Sequence, residues 1–101
     1  MCLGVPAKVL KVEGFKAYVD FGGGIKREVL TAISDLRNGD YVIVHAGIAI
    51  SKIDREEAVK VLEAYMDMAI QQAKEDGLNE EEVKQYYREL RSEVFGDVSH
   101  E

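Results

Sequence analysis

Two side chains in this sequence stand out as types that could do chemistry: the single thiol, Cys2, and the imidazole of His45. A cysteine thiol and a chain-terminal amine ionise near ~8.5 and ~7.7–8.0, so both are usable close to neutral pH. Cysteine is small enough that removal of the initiator methionine is expected, which would put thiol and α-amine on one residue. A free cysteine is ordinarily a small buried hydrophobe, but the second position of a chain is a poor place to bury one. A thiolate offered to a metal or a partner is therefore the better reading of Cys2. His45 follows the apolar run Tyr41-Val42-Ile43-Val44 and precedes Ala46-Gly47, where the chain can bend. Neutral imidazole ligates iron, nickel or zinc, and it also serves as a base or hydrogen-bond donor. Spacing alone favours a structurally satisfied histidine over a ligand at this position, and His100 carries no argument.

The rest of the sequence does not complete a site around these two. There is no CxxC pair, HExxH, Walker loop or GxSxG, and no pair of carboxylates stands out for acid–base work. Gly22-Gly23-Gly24 lacks the spacing and the lysine of a phosphate loop and reads as a hairpin turn. A structural zinc site needs about four ligands, which one cysteine and one histidine do not supply. Any metal held here is held incompletely, as suits temporary custody of a fragment that brings ligands of its own. A soft thiolate favours iron in a soft field, copper(I) or zinc over magnesium or calcium. Cys2 as an N-terminal nucleophile with His45 as its base would be an alternative. It lacks a recognisable oxyanion or substrate pocket, so no enzymatic activity is expected. A barrel adaptor that binds other proteins and no metal is a further alternative.

Those residues need positioning, and the composition allows one small domain, or one with an appendage, in 101 residues. No apolar run approaches the ~18–20 residues of a membrane span, and no signal peptide is evident. With one cysteine, this predicts a cytoplasmic protein in a reducing compartment. The net charge of −6 is uneven: residues 1–53 carry +2 and residues 54–101 carry −8. An acidic chain without a basic stripe argues against nucleic-acid binding, and the acidic half reads as a solvated helical surface.

The first half reads as strands separated by turns. Val5 to Val12 alternates, Phe15 to Phe21 forms a second strand, and Ile25 to Ile33 returns with Ile25, Arg27, Val29, Thr31 and Ile33 on one face. Asn38-Gly39-Asp40 turns the chain into Tyr41 to His45, and Ala46 to Ile53 continues after Gly47. The expectation is a mainly β fold: a small, closed or nearly closed barrel over residues 1–53, with something covering an open side. Pro6 belongs at an edge or strand start, as punctuation or to set the departure of the N-terminal arm. Residues 54–101 read as a helical extension with two helices, about 55–76 and 80–95. Asp54 with Glu57 and Asn79 with Glu82 are the start signals, and Gly77 and Gly96 are the stops. Ala58, Leu62, Tyr65, Met66, Ala69 and Ala73 form one apolar stripe. Val83, Tyr86, Tyr87, Leu90 and Val94 form another, free to dock on the first helix or on another subunit. Asp97 to Glu101 reads as a frayed tail.

Two segments resemble the signatures of the HypC/HupF family of nickel–iron hydrogenase maturation chaperones. They are Met1-Cys2-Leu3-Gly4-Val5-Pro6 with Val9, and Gly39-Asp40-Tyr41-Val42-Ile43-Val44-His45-Ala46-Gly47-Ile48-Ala49; Asp54 to Ala58 is similar to the start of the family's C-terminal helix. The resemblance covers roughly residues 1–75 and implies an OB-like β-barrel with a flexible N-terminus and a C-terminal helix. It implies a partner, the iron–sulfur protein HypD, with which iron carrying cyanide and carbonyl ligands is assembled. It also implies delivery of that iron to the nickel–iron hydrogenase large-subunit precursor, with no tightly bound organic cofactor. Carried onto this chain, Cys2 holds iron or engages the partner's cysteine, and His45 is a ligand or a hydrogen-bond donor to a cyanide. Cys2, Leu3, Gly4, Val5 and Pro6 form the partner-binding arm, and Lys8 is a candidate to lie near the anionic ligands. The second helix is unexplained by the resemblance and is expected to extend the appendage or bias partner choice.

Overall fold

The computed structural model describes residues 4–96; Cys2, Leu3 and the expected frayed tail, Asp97 to Glu101, lie outside the described residues. Five strands form the barrel: β1 (Val5–Glu13), β2 (Lys16–Gly22), β3 (Ile25–Thr31), β4 (Tyr41–His45) and β5 (Ile48–Ile53). Two helices follow, α1 (Arg55–Asp76) and α2 (Glu80–Leu90), and α2 runs on into a π-helical turn at Arg91–Phe95. The fold is the small OB-like barrel with a helical appendage that the sequence predicts. No helix among the described residues is long and apolar enough to cross a membrane.

Around the barrel the strand order is β1-β2-β3-β5-β4, and β1 closes on β4. Every seam is antiparallel except β3 with β5, which pair in parallel only at Leu30–Ile48 and Thr31–Ala49. Alternation fills the interior: Ala7, Val9, Ala17, Val19, Val29, Val42, Val44 and Ala49 are buried together. Each fully buried Val contributes on the order of 1.5–3 kcal/mol relative to an exposed one. Leu36, from the loop after β3, joins that core.

The third strand departs from its sequence reading. It ends at Thr31, two residues early, where the Thr31 hydroxyl accepts from the Ile33 N–H at 3.1 Å and turns the chain. Of the face predicted to be shared, Ile25 and Arg27 are exposed, and only Val29 and Thr31 are buried. Period-two alternation gives the face but not where along the strand a neighbour covers it. Ala46 likewise belongs to a turn rather than to β5.

The helix signals work as written in the sequence. The Asp54 carboxylate accepts from the Glu57 N–H at 2.8 Å while Glu57 accepts from the Asp54 N–H at 3.3 Å, a reciprocal capping box. Gly77 closes α1 at φ 73°, and the Asn79 side chain accepts from the Glu81 and Glu82 N–H groups at the start of α2. The second apolar stripe docks on α1 and the barrel of its own chain. Leu90, Val94 and Phe95 pack with Ala58 and Leu62 into a second core that also takes in Tyr41, Ile53, Val59 and Tyr87. Val94 and Phe95, adjacent in the π turn, are both buried because this end of the chain packs against α1 and the barrel together. The Phe95 ring meets Tyr41 of the barrel at 5.3 Å between centroids. Arg55, first residue of α1, donates from its guanidinium to the carbonyls of Phe95 and Gly96, satisfying acceptors that a helix end leaves open.

Barrel and helical segment come into close approach at Gly22. It sits at φ 91°, and a methyl group there would overlap Leu90 Cδ2 and stand 2.8 Å from Val94 Cγ2. Positive φ and overpacking add, so Gly22→Ala is expected to destabilise the protein by about 2–4 kcal/mol. Urea unfolding of the variant against the parent, read as the shift in midpoint at constant slope, checks this.

Candidate functional site

The described chain begins beside the end of the strand that carries His45. β1 and β4 are antiparallel with Val5 opposite Val44 and Pro6 opposite Ile43. The ladder ends at that Val5–Val44 pair, one residue short of His45, and Gly4 precedes it. Pro6 is buried inside β1 rather than at its first residue. Gly4 is also buried, for a reason of space: a methyl group there would overlap Ile43 Cγ2 and stand 3.0 Å from the Val44 carbonyl oxygen. The Gly4 carbonyl accepts a hydrogen bond from Tyr65 Oη at 2.8 Å. A residue from the middle of α1 therefore fixes where the N-terminal arm starts.

His45 is the last residue of β4 and is exposed. Among the described residues its imidazole makes no hydrogen bond or ion pair. The preference for a structurally satisfied histidine, read from spacing, is thus corrected: the strand ends at the barrel's rim, and the ring is left to solvent. Behind it, Ala46 (φ 53°) and Gly47 (φ 79°) form the two-residue turn into β5. A tight hairpin demands positive φ at both central positions, which suits glycine or asparagine and costs an alanine about 1–2 kcal/mol.

Apolar surface adjoins the imidazole. Ile48 is the cross-strand partner of His45, and Leu30 is the partner of Ile48 on the other side. Both are about half exposed, as is Val5. The Leu30 N–H donates to the Gly47 carbonyl at 3.0 Å and ties β3 to the turn. Sequence reading missed Leu30, Ile48 and Tyr65 as parts of this site. Outward-facing apolar residues in a strand carry no mark that sets them apart from inward ones, and Tyr65 read as one more member of a packing stripe. Lys8 does not belong here. It stands four residues along β1 from Gly4, about 13 Å at ~3.3 Å per residue, and pairs with Tyr41 at the other end of β4.

Among the described residues no group of three or more histidine, cysteine or acidic side chains is placed to hold a metal. What the site offers is one unengaged imidazole, an apolar margin, and a buried anchor for the chain that leads back to Cys2. Such an arrangement defines a small barrel protein that presents its polar groups at a rim instead of enclosing them in a pocket. The chain belongs to the HupF/HypC family, whose model matches residues 1–65. It is similar to the hydrogenase maturation factor HypC of Cupriavidus necator, 41% identical over 69 residues, which are 67% of this chain and 77% of that protein. It is also similar to the hydrogenase maturation factor HypC of Synechocystis, 37% identical over 76 residues, covering 69% of this chain and all of that protein. The factor of the same name from Escherichia coli K12 is 39% identical over 75 residues, 67% of this chain and 82% of its own length. α2 and the π turn lie beyond the matched residues 1–65.

Tyr65→Phe keeps the ring and removes the hydrogen bond to Gly4, so a loss of about 0.5–1.5 kcal/mol is expected. Faster amide exchange at the start of β1 alone, measured by NMR, would separate release of the arm from general loosening. Ala46→Asn should act in the opposite sense and stabilise the hairpin by up to about 1 kcal/mol, seen as a higher midpoint of thermal unfolding.

Proposed function

We propose that this chain is a hydrogenase maturation chaperone that holds an iron fragment carrying cyanide and carbonyl ligands together with HypD. It then passes that fragment to the nickel–iron hydrogenase large-subunit precursor. Family membership supports the general role. The observation that supports the specific one is the register of β1 on β4, which pairs Val5, the first strand residue after the N-terminal arm, with Val44, the neighbour of the exposed His45. One residue, Leu3, separates Cys2 from Gly4, so their α-carbons lie at most about 7 Å apart.

The iron fragment is cargo, and the chemistry asked of the protein is reversible ligation. The Cys2 thiolate donates to iron(II), and the cyanide and carbonyl ligands fill most of the remaining positions. His45 either ligates as neutral imidazole or donates a ring N–H to a cyanide nitrogen. One or two protein ligands hold the fragment less tightly than a closed structural site of about four, and release by ligand exchange follows from that. The exposed apolar margin of Leu30, Ile48 and Val5 gives the partner a surface to cover while the cargo is shared. Cys2, Leu3, Gly4, Val5 and Pro6 form the arm that engages it. No bond of the cargo is made or broken catalytically, and the work belongs in the cytoplasm, where a lone thiol stays reduced.

Anaerobic co-expression with HypD is expected to yield a complex with bound iron and the infrared bands of cyanide and carbonyl. Cys2→Ala should abolish the bands, and their survival would sink the assigned role. His45→Ala should leave complex formation intact while lowering iron content or moving the cyanide bands. If hydrogenase maturation persisted with both residues replaced, the barrel would be an adaptor that binds no metal.

A further inference from the structure

A cleft of about 240 Å³ opens between α1 and α2, lined by Leu62, Glu63, Met66, Lys84, Tyr87, Arg88 and Arg91. Its floor is apolar, made by Leu62, Met66 and the ring of Tyr87. Burial, then the neighbouring Tyr86 and Tyr65, holds the Tyr87 phenol above its ordinary value; it stays a neutral hydrogen-bond donor at physiological pH. Lys84, Arg88 and Arg91 follow one another at helical spacing (i, i+4, i+7) and share one side of α2 and the π turn.

The charge of this rim runs against its surroundings. Residues 54–101 carry six Lys and Arg against fourteen Asp and Glu, yet three of those cations line this one cleft with a single carboxylate, Glu63. Glu63 is engaged by Arg91 at 3.4 Å, and Lys84 leans on Glu81 at 3.5 Å. Arg88 donates to the Gln85 side-chain oxygen at 3.3 Å and has no ion-pair partner among the described residues. A chain with net charge −6 that gathers cations around an apolar floor matches a ligand carrying carboxylates beside an apolar group. The cleft is smaller than the roughly 300–1,000 Å³ of pockets for drug-sized ligands. It takes a large side chain from a protein segment more readily than a whole cofactor. Nucleic acid fits poorly, because three cations around one recess do not make the basic track that a phosphate backbone follows. A membrane fits poorly too, since the apolar surface is a recess, not a protruding face.

We propose that the α1–α2 cleft is a docking site for an acidic segment of a partner protein that inserts a large apolar side chain between Leu62, Met66 and Tyr87 and sets its carboxylates on Lys84, Arg88 and Arg91. The site lies mostly on residues beyond the family match, uses neither Cys2 nor His45, and stands or falls independently of the iron-carrying role.

The test uses the full chain and a fluorescein-labelled helical peptide with leucines four residues apart flanked by glutamates, alongside the same peptide with every glutamate replaced by glutamine. Fluorescence anisotropy should show saturable binding of the acidic peptide, weakened at least tenfold in the glutamine analogue and progressively weakened by added salt. Arg88→Glu, an exposed substitution that leaves the core untouched, should cost tenfold or more, and Arg88→Gln an intermediate amount. Equal binding of the two peptides, or an unchanged affinity in Arg88→Glu, overturns the proposal. So does the absence of saturable peptide binding, whether or not the protein pellets with anionic phosphatidylserine vesicles. Self-association by sedimentation that Arg88→Glu abolishes, without peptide binding, would assign the cleft to a second copy and also overturn it.

Discussion

The pairing of β1 with β4 is the interaction on which the rest of this molecule depends. It closes the barrel, since without it the order β1-β2-β3-β5-β4 is an open sheet with two free edges. The same ladder lays the start of the chain along the strand that ends in His45. Closure and site are thus one event: the hydrogen bonds that remove the sheet's edges also decide which side chains meet at the rim. Gly4 shows how tightly the two are joined. The absence of a side chain lets the arm pass close over Ile43 and Val44, and Tyr65 then holds its carbonyl from α1.

The helical segment extends that logic. A barrel of some fifty residues buries too little surface to be comfortably stable, and the second core supplies what is missing. Leu90 and Val94 seat on Gly22, Phe95 stacks on Tyr41, and Arg55 closes the end of the π turn. These contacts join the first residue of α1 to the last described residues of the chain. The part of the sequence beyond the family match is therefore bonded into the structure at several points. Its outer side leaves a cationic cleft in an otherwise acidic half.

Much of the fold was legible in the sequence because it is written in local terms. Alternation marked the strands, Asp54 with Glu57 marked a helix start, and Gly77 marked its stop. Less legible were features set by the meeting of distant residues. Nothing in the periodicity of Ile25 to Ile33 reveals that Ile25 and Arg27 stay exposed, and a helical repeat does not announce the π turn in which both Val94 and Phe95 are buried. At the rim, His45 was readable as a candidate from its type and place. Its exposure was not, since a histidine ending an apolar strand looks the same whether the next layer covers it or leaves it bare. Tyr65 and Leu30 were hidden in the same way, each an ordinary member of a pattern until the fold gave it a neighbour.

The parallel seam between β3 and β5 carries one more consequence. It holds at two residue pairs, while every antiparallel seam is longer, and parallel pairing is slightly weaker per residue. Both pairs lie directly after the turn that follows His45. The circumference of the barrel is therefore fastened least firmly next to its rim site. Local opening is expected to cost least where the fewest pairs must break, and in this barrel that is the seam beside the hairpin tip. The weakest fastening of the barrel wall and its exposed imidazole thus share one hairpin.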